Sequence, residues 1–151
     1  MENAGLKLRK IGMDEIERVR ELFLRVFTAE PWNDDWSDTK QLTLYLRDLA
    51  GQGNSLCFGL FDGEELAGAS LGHVKHWFTG TEYCIEEFFI RTDRQGQGLG
   101  TFFLAEIEKE MRAMGLRHIF LQTEKSAPAY GFYLKNGFHD LEEHRSLVRR
   151  V

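Results

Sequence analysis

Apolar residues change their spacing several times along the chain, and each change marks an element. Leu6, Leu8 and Ile11 alternate with Lys7, Arg9 and Lys10 closely enough for a short first strand. Ile16, Val19, Phe23, Val26 and Phe27 then fall on one helical face, and Asp14 with Glu17 has the form of a capping box. Pro31, Trp32, Trp36 and the nearby aspartates predict an irregular segment between Glu30 and Asp38. After it, Ser37 is placed to cap a second helix that turns Leu42, Tyr45, Leu46 and Leu49 inward and stops at Gly51. Ser55 to Phe61 and Leu66 to Trp77 flank Asp62-Gly63, a tight-hairpin signal, and Thr79-Gly80 turns the chain again into Glu82 to Arg91. These three strands are expected to form an antiparallel meander.

A second helix-period run, Leu99, Phe103, Ile107, Met111 and Met114, carries Glu108 and Arg112 as a favourable pair on its outer face and ends at Gly115. Ile119, Phe120 and Leu121 are short and apolar, which predicts a buried strand at the sheet centre. Pro128 suits the first turn of another helix, Asn136-Gly137 closes it, and the loose alternation of Phe138 to Val151 predicts one or two edge strands. The order βααβββαβαβ, with helices interrupting strands at irregular intervals, implies an α/β (α+β) fold in which helices cover a mixed sheet.

The chain has 151 residues, which suits a single domain over 1–151 burying roughly two-thirds of its unfolded surface. A hydrophobic content of 42% supplies a core, and a formal charge of -5 disfavours nucleic acid while making small cationic partners natural. Cys57 and Cys84 form no CxxC, and the first residues lack the charged-then-apolar order of a signal peptide, so a reducing, cytoplasmic setting is expected. Charges break every apolar window well before a membrane span is reached, so no membrane partner is expected.

Between the third meander strand and the following helix lies Arg94-Gln95-Gly96-Gln97-Gly98-Leu99-Gly100-Thr101. Side-chain-free positions at every second residue let a turn present several N–H groups to one anion where a helix begins, as a phosphate cradle does. A dinucleotide fingerprint fails on spacing, because Thr101 follows Gly100 and Leu116 to Phe120 hold no ribose-binding acid. A Walker motif fails as well, since Thr101-Phe102 stand where Lys and Ser/Thr are required. The remaining pattern suits a diphosphate held by backbone amides and the helix dipole without a metal, and coenzyme A carries such a group.

At this point the chain resembles the GNAT superfamily of acetyl-CoA-dependent N-acetyltransferases. Phe88-Phe89-Ile90, the turn Arg91 to Arg94, and Gln95-Gly96-Gln97-Gly98-Leu99-Gly100 follow the family's apolar strand and [Q/R]-x-x-G-x-[G/A] motif. Ser126-Ala127-Pro128-Ala129-Tyr130-Gly131-Phe132-Tyr133-Leu134-Lys135-Asn136-Gly137-Phe138 is similar to N-x-x-A-x-x-[FL]-Y-x-x-x-G-F, with Ser126 in place of the initial Asn. The resemblance implies a mostly antiparallel sheet with a central strand splay, and acetyl-CoA as cofactor. Phe88, Phe89 and Ile90 would pair with its pantetheine arm, Gln95 to Thr101 would hold the diphosphate, and Ser126 would make a further contact.

The implied reaction is acetyl transfer to a primary amine by direct attack. An amine near pKa ~10 needs a base before it can attack, and a departing thiolate takes a proton that a tyrosine can give. Tyr133 occupies the family position for that acid. Glu86 and Glu87 precede the pantetheine-pairing stretch, and alternation sends them to opposite faces, so one of them is expected to serve as base, with a slight edge to Glu86. The spermidine/spermine branch has a similar acidic pair. Glu124 is a further candidate, although a capping role near Ser126 suits it better.

Acceptor choice is expected in Glu30, Trp32 and Trp36 and at the hairpin tip around His73, His76 and Trp77, because aromatic faces beside carboxylates attract cations. A polyamine, an aminoglycoside or another small amine fits such a wall, and Glu-Pro-Trp before a helix loosely resembles aminoglycoside acetyltransferase-like members. The rings of Trp32 and Trp36 alternatively seal the core. His73 and His76 in a strand point to opposite faces, so no functional metal is expected. The alternatives are a protein N-terminal or lysine acetyltransferase and a catalytically inactive acyl-CoA-binding module. Family members often dimerise through edge strands, which leaves a homodimer as an open expectation.

Overall fold

Asp62-Gly63 and Thr79-Gly80 reverse the chain at the positions their residue types predict, and Gly63 and Gly80 hold the positive φ angles of +61° and +143° found there. Strands β2 (Ser55–Asp62), β3 (Glu65–Trp77) and β4 (Gly80–Ile90) pair as the expected antiparallel meander. The structure is a computed structural model and describes residues 3–151. β1 (Leu6–Ile11) pairs antiparallel with β2, and β5 (His118–Leu121) pairs parallel with β4, giving a five-stranded sheet in the order β1-β2-β3-β4-β5.

Helices α1 (Ile16–Phe27) and α2 (Thr39–Ala50) lie on one face of this sheet, where Val19, Phe23, Phe27, Leu42 and Leu46 pack with Phe61, Leu71 and Phe89. Helix α3 (Leu99–Ala113) covers the other face, with Leu99, Phe103 and Ile107 against Phe58, Leu60, Tyr83, Ile85 and Ile90. Burying side chains of this size stabilises the fold by about 1.5–3 kcal/mol each. The sheet and these helices belong to a compact unit that ends at Leu121, and Gln122–Val151 form a second unit containing α4 (Pro128–Lys135).

The mixed, mostly antiparallel sheet flanked by helices agrees with the expected fold class, and several local expectations are corrected. The Asp14–Glu17 capping box does not form, because Asp14 Oδ1 accepts from Gly12 N at 3.2 Å in a short 3-10 turn ahead of α1. Asp38 rather than Ser37 caps α2, its carboxylate accepting from Gln41 N at 3.0 Å, while Ser37 N donates to Asp35 Oδ1. β5 is the edge strand of the sheet and only partly buried, not its centre: it pairs with β4 alone, and Ile119 and Leu121 pack against the core on the α3 face. Residues 138–151 contain no strand, so the final element of the expected order is absent. Leu141, Leu147, Val148 and Val151 do not alternate regularly there, and all four are exposed.

Candidate active site

One extra residue in β4 decides which way its two acids face. Leu71 of β3 pairs with Glu87 and Gly72 with Ile85, leaving Glu86 as a bulge without a cross-strand partner. In an unbroken strand Ile85 and Glu87 would share a face. Ile85 instead packs in the core beneath α3, whereas Glu87 reaches α2 on the opposite face. Gly72 permits this close geometry, because a Cβ at that position would meet the Cys84 carbonyl oxygen at 2.1 Å. Glu86 is exposed, and Glu87 is half-buried.

Tyr45 Oη donates a 2.7 Å hydrogen bond to Glu87 Oε1. Burial pushes the Glu87 carboxyl up to about 7, with Asp34 and Glu86 adding to the rise and the Tyr45 hydrogen bond opposing it. A carboxyl near neutrality can take a proton and release it at physiological pH. The Tyr45 hydroxyl is itself pushed well above the usual phenol range, first by burial and then by the neighbouring Glu87, so it stays a donor. Tyr45 escaped the sequence reading as a functional residue because it lies on the apolar stripe of α2. The available signal was its hydroxyl, which must find a partner when the ring is buried.

β4 runs past its last β5 partner. The parallel pairing ends at Ile85 with Leu121, and β5 offers no partner to Glu86–Ile90. The backbone of this stretch keeps its β3 pairing on one side, and its other edge lies beyond the β5 ladder. The side chains around that edge are committed elsewhere: Phe88 stacks on Phe103 of α3 at 5.2 Å, Phe89 packs edge-on to Phe23 and Phe27 on the other face, and Ile90 is buried.

The turn leading to α3 has the form of an anion cradle. Gly96 and Gly98 hold φ angles of +74° and +78°, values that side chains disfavour, and a Cβ on Gly96 would meet nothing within 4 Å. Gly98 is the N-cap of α3 and supplies no side chain. The first turn, Leu99, Gly100 and Thr101, therefore presents N–H groups with no intrahelical acceptor; the ladder begins with Phe102 N to Gly98 O at 3.1 Å. Gln95 Nε2 donates to Ile90 O at 3.0 Å and so props the turn, while Gln97 and Thr101 are exposed. Arg91 grips Asp93 through both carboxylate oxygens at 3.1 and 2.9 Å, and Arg94 pairs with Asp62 at 3.1 Å, fixing both ends of the approach. Bare amides at a helix start, with no carboxylate left unpaired among Asp62 and Asp93, fit a diphosphate.

Ser126 and Tyr133 lie in the second unit. Ser126 is exposed ahead of α4, which begins with Ala127 as N-cap and Pro128 in its first turn. Glu124 contributes its carbonyl oxygen rather than its carboxylate there, accepting from Ala127 N at 3.1 Å. Tyr133 is buried, with its ring edge-on to Phe132 and Phe138 at 5.4 and 5.3 Å.

The expected acceptor wall is divided. Trp32 tilts against Phe27 at 5.6 Å, and Trp36 stacks on Tyr45 at 5.3 Å with an interplanar angle of 12°, both joining the α1–α2 core. Glu30 is exposed beside them in sequence. Trp77 is 49% exposed at the far end of the hairpin, with the Lys75 ammonium 4.1 Å above its ring. Strand rise puts Trp77 about 20 Å along β3 from Leu71, the partner of Glu87, so it does not join the other two rings. Among the described residues, no group of three or more His, Cys, Asp or Glu is arranged to hold a metal ion, and no helix is long and apolar enough to cross a membrane.

The family model of the acetyltransferase (GNAT) family matches residues 16–138. No curated protein matches. Among solved structures, an aminoglycoside acetyltransferase, meta-AAC0020, from an uncultured soil metagenomic sample in complex with sisomicin is similar at 18% identity and a TM-score of 0.71, with 99% of this chain and 96% of that one covered. AAC(6')-Iy in complex with a bisubstrate analog, CoA-S-monomethyl-acetylneamine, is similar at 16% identity and 0.70, covering 97% and 99%. A possible acetyltransferase from Clostridium difficile 630 reaches a TM-score of 0.81 at 11% identity, covering 97% and 98%. At these identities the likeness is one of fold.

Proposed function

Because the chain belongs to the acetyltransferase (GNAT) family, we propose that it moves an acetyl group from acetyl-CoA to a primary amine of a small cationic molecule by direct attack, as a single domain. The observation that carries this reading is the glycine turn whose bare first-turn amides open α3, joined to a β4 strand that bears a half-buried carboxyl poised near neutrality. Acetyl-CoA supplies the acetyl group as a thioester.

The diphosphate is held by the backbone from Gln95 to Thr101, and a main-chain N–H of the Phe88–Ile90 edge polarises the thioester carbonyl. Glu87 is the base, in preference to Glu86. Glu86 is exposed, whereas Glu87 faces the α1–α2 side with its Oε2 free of hydrogen bonds among the described residues. Glu87 Oε2 takes a proton from the ammonium, the freed nitrogen attacks the thioester carbon, and the adduct collapses with cleavage of the C–S bond as the second nitrogen proton passes to solvent. Tyr133 gives its proton to the departing sulfur. Asp34, Glu86 and Glu87 together favour a cationic acceptor, with Glu30, Trp32 and Trp36 beside its entry.

The direct test is a panel of polyamines, aminoglycosides and peptides with free N-termini or lysines, scored by thiol release from acetyl-CoA. Turnover with small amines, lost in Glu87→Gln, supports the reading. Turnover confined to peptides identifies a protein acetyltransferase instead, and coenzyme binding without turnover on any amine identifies an acyl-CoA-binding module.

A further inference from the structure

We propose that Tyr45 is a positioning residue for acetyl transfer: its hydroxyl, held in place by an aromatic clamp, ties down Oε1 of Glu87 and leaves Oε2 as the oxygen that takes the proton. This rests on the reading of Glu87 as the base.

Two devices from distant parts of the chain converge on the contact. On β4 the Glu86 bulge turns Glu87 to the α2 face. On α2, the Asp38 cap and the buried Leu42, Leu46 and Leu49 fix the helix that carries Tyr45. The Tyr45 ring lies flat on Trp36 at 5.3 Å and edge-on to Phe23 at 6.2 Å, and Phe23 also meets Trp36 edge-on at 5.4 Å. A ring held on two sides keeps one rotamer, so its hydroxyl is aimed rather than searching.

A phenol that stays protonated fixes the direction of the hydrogen bond, with tyrosine donating and carboxylate accepting. A donor to the ionised form favours that form and offsets part of the rise that burial causes. The other groups facing the carboxyl are Asp34, from the segment between α1 and α2, and Glu86 on β4, and both oppose ionisation. Tyr45 is thus the group that keeps Glu87 usable as a base at neutral pH.

The test is the pH dependence of kcat/KM for Tyr45→Phe, together with the ¹³C titration of the Glu87 side-chain carboxyl, assigned by its loss in Glu87→Gln. Removing the donor is expected to move both the acid limb and the titration upward by about one pH unit, with about tenfold less activity below the limb and near-parental activity well above it. A loss of activity uniform across pH, or an unmoved Glu87 titration, overturns the proposal. Should Tyr45→Phe fail to fold, Trp36→Leu removes the stack but keeps the hydroxyl and is expected to shift the limb the same way; an unmoved limb overturns the clamp. Parental activity of Glu87→Gln at every pH rejects the base itself, and a titration still shifted by Tyr45→Phe in that case reduces the contact to packing.

Discussion

Gly72 and Cys84 approach so closely across β3 and β4 that a single added methyl on Gly72 would sit 2.1 Å from the Cys84 carbonyl oxygen. The contact lies at the register shift that makes Glu86 a bulge and turns Glu87 toward Tyr45. An absent side chain on one strand therefore sets the direction of a carboxylate on the next.

Gly72→Ala is expected to lower stability by about 1–3 kcal/mol, since backbone must move to admit the methyl. Because that movement lands on the bulge, activity is expected to fall further than the unfolded fraction explains. Urea unfolding beside initial rates at low temperature separates the two effects, and a variant with parental rates would show that the register tolerates the shift.

Glu87 ties stability to pH with a definite sign. Burial raises its carboxyl to about 7 in the folded chain, against the ordinary 4.5 when unfolded. Between these values the folded chain holds a proton that the unfolded chain has released, so this contribution is complete below about 4.5 and is lost as pH rises through about 7. The loss is about 3 kcal/mol at most by linkage. Glu87→Gln cannot titrate and is expected to be more stable than the parent at pH 8, with the difference vanishing near pH 4.5. Melting temperatures of the two proteins across this range check it, and parallel curves would place the Glu87 carboxyl in ordinary solvent.

The helical faces, the meander and the glycine turn were legible because each is written in local spacing: Val19, Phe23 and Phe27 recur on one side of a helix, and Asp62-Gly63 names its own turn. The Glu86 bulge was not legible. It arises from the fit of Gly72 against β4, a contact between residues far apart in sequence, and a one-residue slip reverses every face assignment beyond it. Strict alternation sends Glu86 and Glu87 to opposite faces, but it does not hold across the bulge and gives no means of saying which one turns toward α2. Trp36 was legible as an aromatic near the site, yet its stacking on Tyr45 depends on how the segment before α2 folds back. The strand expected in 138–151 does not form, because Leu141, Leu147, Val148 and Val151 keep no regular alternation and stay exposed.

Gly98 is expected to be needed for the cofactor beyond its part in the fold. Its φ of +78° at the start of α3 disfavours any β-branched side chain by roughly 1–3 kcal/mol, and valine there also crowds the first-turn amides. Gly63 provides the control, with a φ of +61° in the β2–β3 turn and open space around it. Both Gly98→Val and Gly63→Val should lose comparable stability, but only the first should lose coenzyme A binding in calorimetry. Equal binding by the two variants would remove the cradle from the glycine turn.

Tyr133→Phe tests the acid. The phenylalanine ring keeps the edge-on contacts to Phe132 and Phe138, so α4 and its surroundings are expected to survive the change. What is removed is the phenol hydroxyl proposed to protonate the leaving thiolate. Turnover is expected to drop by roughly 10²-fold, with acetyl-CoA affinity little changed, because the donor acts on the sulfur only as the bond to the acyl carbon breaks. Since a thiolate can also leave unprotonated in alkaline solution, the deficit should narrow as pH rises toward 9 and widen below 7. Rates of thiol release from pH 6 to 9, measured beside calorimetric coenzyme affinity, check both halves of the expectation; acetylation at the parental rate across that range would assign the proton to another donor.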